Sequence, residues 1–186
     1  MRPMGPFTLD RGRTAIVLID FQIKLFQAMD ETIAFRHAKN AEHLVFAAEA
    51  FGLPMLITEQ NKLGRTMPSL QVPEGAEVHE GKTQFSCLKH PGFAEALKAT
   101  GRQQVVVAGM ETHICVAQTA RDLRLAGYEV VVAADACLSR RRVDWRFGLT
   151  RMKGDGARCW TTEAILFELL GAFEGPLAKE ISRRVR

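Results

Sequence analysis

No stretch of the chain approaches the roughly 18 consecutive apolar residues that a membrane-spanning helix needs, so a membrane partner is not expected. The opening residues Met1-Arg2-Pro3-Met4-Gly5-Pro6 lack the apolar core of a secretory signal, and the expected compartment is the cytoplasm. Cysteine is sparse. Cys87, Cys115, Cys137 and Cys159 are widely spaced and include no CxxC pair, which argues against a disulfide-stapled mini-protein and against a zinc ribbon. They read as reduced thiols, of which one could be reactive. Repeats, low-complexity tracts and Pro/Gly/Ser linkers are also missing, so residues 1–186 are expected to form a single domain. Charge of one sign barely accumulates: 25 Lys and Arg against 21 Asp and Glu give +4. The excess lies in Arg140-Arg141-Arg142 and in the tail Arg183-Arg184-Val185-Arg186, with no interleaved aromatics. Such runs read as solvated faces, and nucleic acid is not an expected partner.

What is present is an alternation of short apolar runs with helical patterns, in a chain that is 47% hydrophobic and able to bury a sizeable core. Ala15-Ile16-Val17-Leu18-Ile19 is continuous, rich in β-branched residues and ends at Asp20, as a fully buried strand does. A helix is predicted from about Arg36 to Phe51, ended by Gly52 and Pro54, followed by a strand over Met55-Leu56-Ile57-Thr58. The pattern recurs with a strand over Val105-Val106-Val107-Ala108, a helix from Thr112 to Ala126, and a strand over Val130-Val131-Val132-Ala133. Weaker strands fit around Val78-His79-Glu80 and Arg158 to Thr161, and a last helix from Glu163 to Phe173. Strands apolar throughout need cover on both faces, so the expected architecture is α/β, a parallel sheet sandwiched by helices.

Open sheets of this kind bind ligands at the carboxyl ends of their strands. The residues to inspect there are Asp20, Glu59 with Gln60, Lys82, the stretch from Gly109 to Cys115, and Asp135 with Cys137. Three of these positions hold an acid, an amine and a thiol. Cys115 falls where a strand turns into a helix, with Thr112 as the expected cap, so the unpaired N–H groups and the helix dipole favour a thiolate. A lysine nearby favours it further. A carboxylate could take the thiol proton during attack on an acyl carbon, and the N–H groups of Glu111 and Cys115 could cradle the oxyanion.

The motifs Ile19-Asp20-Phe21-Gln22, Lys82-Thr83-Gln84-Phe85-Ser86, Gly109-Met110-Glu111-Thr112-His113-Ile114-Cys115-Val116 and Ala134-Asp135-Ala136-Cys137-Leu138-Ser139-Arg140 occur in this order. Together they resemble the isochorismatase-like cysteine hydrolases, over about Thr14 to Leu170. The resemblance implies a Rossmann-like three-layer α/β/α fold with a six-stranded, mainly parallel sheet, in a homo-oligomer. It implies Asp20 as general base, Lys82 as supporting cation and Cys115 as nucleophile. It also implies a non-proline cis peptide at Met110-Glu111, aiming the Glu111 N–H at the oxyanion.

Nicotinamidases of that family hold a divalent metal with an Asp and several His residues after the second strand. Here the corresponding stretch is Thr58-Glu59-Gln60-Asn61-Lys62-Leu63-Gly64-Arg65, with no histidine, so no metal and no other cofactor is expected. This stretch and the Gly-x-Glu-Thr-His turn look most like a branch without an assigned substrate. The leading expectation is a metal-independent hydrolase of a small amide or related acyl compound, acting through a thioacyl-enzyme on Cys115. The alternatives are a vinyl-ether hydrolase of the isochorismatase type, in which Asp20 would outweigh Cys115, and a non-catalytic oligomer that retains the pocket. Phe21, Gln22, Gln60 and Phe85 are the expected substrate-binding residues. His113, two positions from Cys115 and so facing elsewhere on a helix, suits a turn or interface role. Cys87, Cys137 and Cys159 suit structural ones.

Overall fold

In the computed structural model, which describes residues 6–73 and 76–186, the predicted apolar runs form strands; the stretch read for a signal lies outside the described residues through Gly5. The strands are β1 (Thr14–Ile19), β2 (Met55–Gln60), β3 (Glu77–Lys82), β4 (Gln104–Met110), β5 (Glu129–Leu138) and β6 (Arg158–Trp160). They alternate with α1 (Ile23–Gln27), α2 (Glu31–Phe51), α3 (Pro91–Ala99), α4 (Ala117–Leu125), α5 (Arg142–Gly154), α6 (Thr162–Leu170) and α7 (Gly175–Arg184). Among the described residues the six strands form one parallel sheet in the order β3-β2-β1-β4-β5-β6.

Every residue of β1 and of β4 is buried, because the strands are covered twice. Ile16, Leu18, Val106 and Ala108 face the layer that holds Leu44, Ile165 and Ile181. Their neighbours Ala15, Val17, Val105 and Val107 face the layer that holds Phe93, Leu123 and Met152. Period-2 alternation thus serves two cores at once, which is why Ala15 to Ile19 and Val105 to Ala108 carry no polar positions.

Several boundaries move. Helix α2 begins five residues before Arg36, where the Asp30 carboxylate accepts from the Ile33 N–H at 3.2 Å. Its inward stripe starts on Ala34, Ala38 and Ala41, small residues that blunt the hydrophobic period. Helices α3, α5 and α7 have no counterpart in the predicted elements. In α5 and α7 the buried stripes are short, Leu149 with Met152 and Ala178 with Ile181, among many charges. Strand β5 runs on to Leu138, so Asp135 and Cys137 lie inside it rather than after it. Between the pairs Val107↔Val132 and Gly109↔Cys137 it bulges, and the Asp135 carboxylate there accepts from Thr162 N and Oγ1 at 2.7 and 2.8 Å, holding the start of α6.

Candidate active site

The strand order reverses direction between β1 and β4, and an open parallel sheet splays its loops apart at that point to leave a crevice. Asp20 follows β1 and the Gly109–Cys115 stretch ends β4, so the order of strands sets acid and thiol on opposite lips of it. Gly109 permits the close approach: a Cβ there would lie 2.2 Å from the Ile19 carbonyl oxygen. Lys82 comes from two strands away. In β3 the pairs Thr58↔His79 and Gln60↔Lys82 show one extra residue on the β3 side, with Gly81 at φ 74. This bulge shifts the alternation, so that His79 and Lys82, three positions apart, are both buried.

Asp20 and Lys82 are both fully buried and paired, Nζ to Oδ2 at 2.9 Å. The ammonium also donates to Gln60 Oε1 at 2.5 Å and the Gln84 carbonyl at 3.0 Å, with the Phe85 carbonyl at 3.4 Å, and lies 4.0 Å from Cys115 Sγ. A buried ion pair survives desolvation only when its remaining donors and lone pairs find partners, and these oxygens provide them. Burial pushes the Asp20 carboxyl above its usual range, while Lys82 and then the Thr58 hydroxyl pull it back.

Cys115 lies in a π-helical turn, Thr112–Val116, that leads into α4. The peptide Met110-Glu111 is cis. The expected Thr112 cap does not form: Glu111 precedes the turn, and the buried Thr112 hydroxyl has no partner among the described residues. Among those residues the Glu111 N–H also finds no backbone acceptor. The turn is stapled to the end of β5. Arg140 donates to the Glu111 carboxylate from Nε at 3.0 Å, and His113 Nδ1 lies 3.1 Å from Ser139 Oγ. Cys115 is 7% exposed, and its sulfur accepts from the Lys82 ammonium at 4.0 Å. Burial first, then the Asp20 charge, push this thiol above the usual range, outweighing the pull of Lys82. Burial therefore works against the thiolate that a helix start alone would favour.

A profile of the isochorismatase domain matches residues 14–164. The chain belongs to the isochorismatase family. Isochorismatase domain-containing protein 2 of Xenopus laevis is 38% identical over 145 residues, 77% of this chain and 70% of that protein. Among solved structures, the MAR1 ribonuclease of Caenorhabditis elegans superposes with a TM-score of 0.87 at 30% identity, covering 96% of this chain and 92% of that one. The YcaC gene product of Escherichia coli, described as an octameric hydrolase of unknown specificity, superposes with a TM-score of 0.88 at 25% identity, covering 97% and 92%.

Within this isochorismatase-family fold, the crevice brings Asp20, Lys82 and Cys115 together, with Gln60 on the ammonium. Phe85 stands 51% exposed near its mouth. Phe21 and Gln22 are fully buried. Phe21 packs into the core, and the Gln22 amide ties the loop after β2 by donating to the carbonyls of Gln60 and Gly64 and accepting from the Gln60 N–H. Glu59 serves the same loop, accepting from Thr66 N and Oγ1. Among the described residues no group of three or more His, Cys, Asp or Glu is placed to hold a metal, and no helix is long and apolar enough to cross a membrane. Two site neighbours were missed from sequence. Arg140 was read only as part of a basic run and as the last residue of the Ala134–Arg140 motif, and Thr58 only as a strand residue and the first of the Thr58–Arg65 stretch, although a hydroxyl ending an apolar run was the available signal. A cleft of about 370 Å³ opens beside Ser139 and Arg140, walled by Ile33, Leu138 and Trp145.

Proposed function

We propose that this chain is a metal-independent cysteine hydrolase of a small amide or related acyl compound. One observation carries the reading: a slightly exposed thiol lies 4.0 Å from a buried ammonium that is itself paired with a buried carboxylate, at the switch point of the sheet. As an acyl carbon is attacked, the Cys115 proton passes to Asp20 and the sulfur bonds to carbon, so no free thiolate need accumulate. The oxyanion is taken by the N–H groups of Glu111 and Cys115. Asp20 returns its proton to the leaving amine, and the C–N bond breaks to leave a thioester. Asp20 then draws a proton from water, which adds to the thioester and releases the acid and the thiol. Throughout, Lys82 stabilises whichever of its neighbours is anionic.

Incubating the protein with a panel of small amides and reading intact mass tests nucleophile and substrate together. An acyl adduct on Cys115, absent in Cys115→Ala, is expected. An adduct on Cys87 or Cys137 instead would overturn the assignment, and turnover of a vinyl ether by Cys115→Ser would move the chemistry to Asp20. The name of the worm structure raises RNA as a competing substrate. Against it stand the narrow access to Cys115 and the pairing of Arg140 with Glu111; metal-free cleavage of single-stranded RNA that Cys115→Ala abolishes would reverse that judgement. A homo-oligomer is proposed from the octameric relative, and sedimentation velocity checks it.

A further inference from the structure

Lys82 does not account for the whole hydrogen-bond shell of Asp20. Its other oxygen, Oδ1, accepts from Thr58 Oγ1 at 2.7 Å, and Thr58 is fully buried. The same residue holds the acid through its backbone, its carbonyl accepting from the Asp20 N–H at 3.1 Å. Asp20 needs that hold, since it adopts φ 53, a left-handed conformation uncommon outside glycine, directly after Ile19↔Thr58 closes the β1–β2 ladder.

The directions of these bonds follow from counting protons. An ionised carboxylate only accepts, and a threonine hydroxyl has one proton to give, so the Thr58 proton points at Oδ1. Cys87 Sγ lies 3.5 Å from the same Oγ1 and must therefore be the donor to it. Burial pushes the Cys87 thiol up to about 11, so it keeps that proton at neutral pH. Cys87 is placed by its N–H on Thr119 Oγ1 at 3.0 Å, in the helix that continues from the Cys115 turn. The result is a one-way chain from the Cys87 S–H through the Thr58 O–H to Asp20, with Lys82 on the opposite oxygen.

We infer that Thr58 is a positioning residue for the general base: its hydroxyl fixes the plane of the Asp20 carboxylate and keeps it ionised beside the Cys115 thiol. The inference rests on the proposed role of Asp20. Removing the hydroxyl leaves Oδ1 buried without a donor, which disfavours the charged form and frees the side chain to rotate.

The test is the pH dependence of iodoacetamide alkylation at Cys115, followed by peptide mass mapping, which needs no knowledge of the substrate. In the wild type the rate should fall on the acid side as Asp20 is protonated. In Thr58→Val that fall should move to higher pH by about one unit and the plateau rate should drop several-fold, whereas Thr58→Ser should keep the wild-type midpoint. Thr58→Ala is read in the same way should the valine variant not fold. An unchanged midpoint in the hydroxyl-free variant, with Asp20→Asn losing the acid-side fall, overturns the inference and leaves the base in place. A wild-type profile in Asp20→Asn would instead overturn the role of Asp20 itself.

Discussion

Cys115 and Cys87 approach the same buried pair from different elements, and their surroundings separate them. Both feel the Asp20 carboxylate and the Lys82 ammonium, and burial followed by the Asp20 charge pushes both thiols up. Cys87 is fully buried in a short 3-10 turn, its N–H spent on Thr119, and it meets Asp20 only through Thr58. Cys115 is 7% exposed, lies 4.0 Å from the Lys82 ammonium, and sits four residues after a Glu111 N–H with no backbone acceptor among the described residues. Nearness to charge does not distinguish the two thiols. Access, contact with the ammonium and a neighbouring N–H without a backbone acceptor do.

The sharpest way to break this comparison is to remove the slightly exposed thiol. Cys115→Ala should lose the acyl adduct and lower turnover by roughly 10⁴-fold, while the protein still folds, which a circular dichroism melt checks. Asp20→Asn should lower turnover by about 10³-fold, and urea unfolding should show a loss of about 3 kcal/mol because Lys82 is left buried with its charge unpaired. The pH profile is a smaller test. Proposed catalysis needs Asp20 ionised, and burial raises its pKa, so activity should be present above that raised value and fall as pH drops through it, on the neutral side of the ordinary carboxylate range. A kcat/KM profile with its acid limb at or below the ordinary value of 3.8 would contradict this. The smallest effect belongs to the enclosed thiol: Cys87→Ala should retain the adduct on Cys115 and cost about 1 kcal/mol in urea unfolding.

Much of the fold was legible because its strands are covered on both faces. A run such as Ala15 to Ile19 has no polar side, and only a sheet between two helical layers can accept it. The same logic marked Asp20 and the Gly109–Cys115 stretch as strand ends facing a crevice. Helices α5 and α7 were hidden, because their buried stripes are short and the rest of each is charged. The reach of β5 to Leu138 was hidden by its bulge, which breaks the alternation at Ala134-Asp135-Ala136. Thr58 was given no role at the site, since whether a hydroxyl at a strand end satisfies its own loop or holds a neighbouring acid depends on which strand lies beside it.

By itself the sequence determined the strands, their two-sided burial and the residue types at their carboxyl ends, since these follow from local hydrophobic pattern and side-chain chemistry. Only the tertiary structure decided that Asp20 meets Lys82 across 62 positions, and that burial pushes the Cys115 thiol up against the pull of its helix start. The physical reason is that strand order and desolvation are properties of neighbours brought from elsewhere in the chain. A helix start can be read from a few consecutive residues, but the burial and the carboxylate that outweigh it cannot.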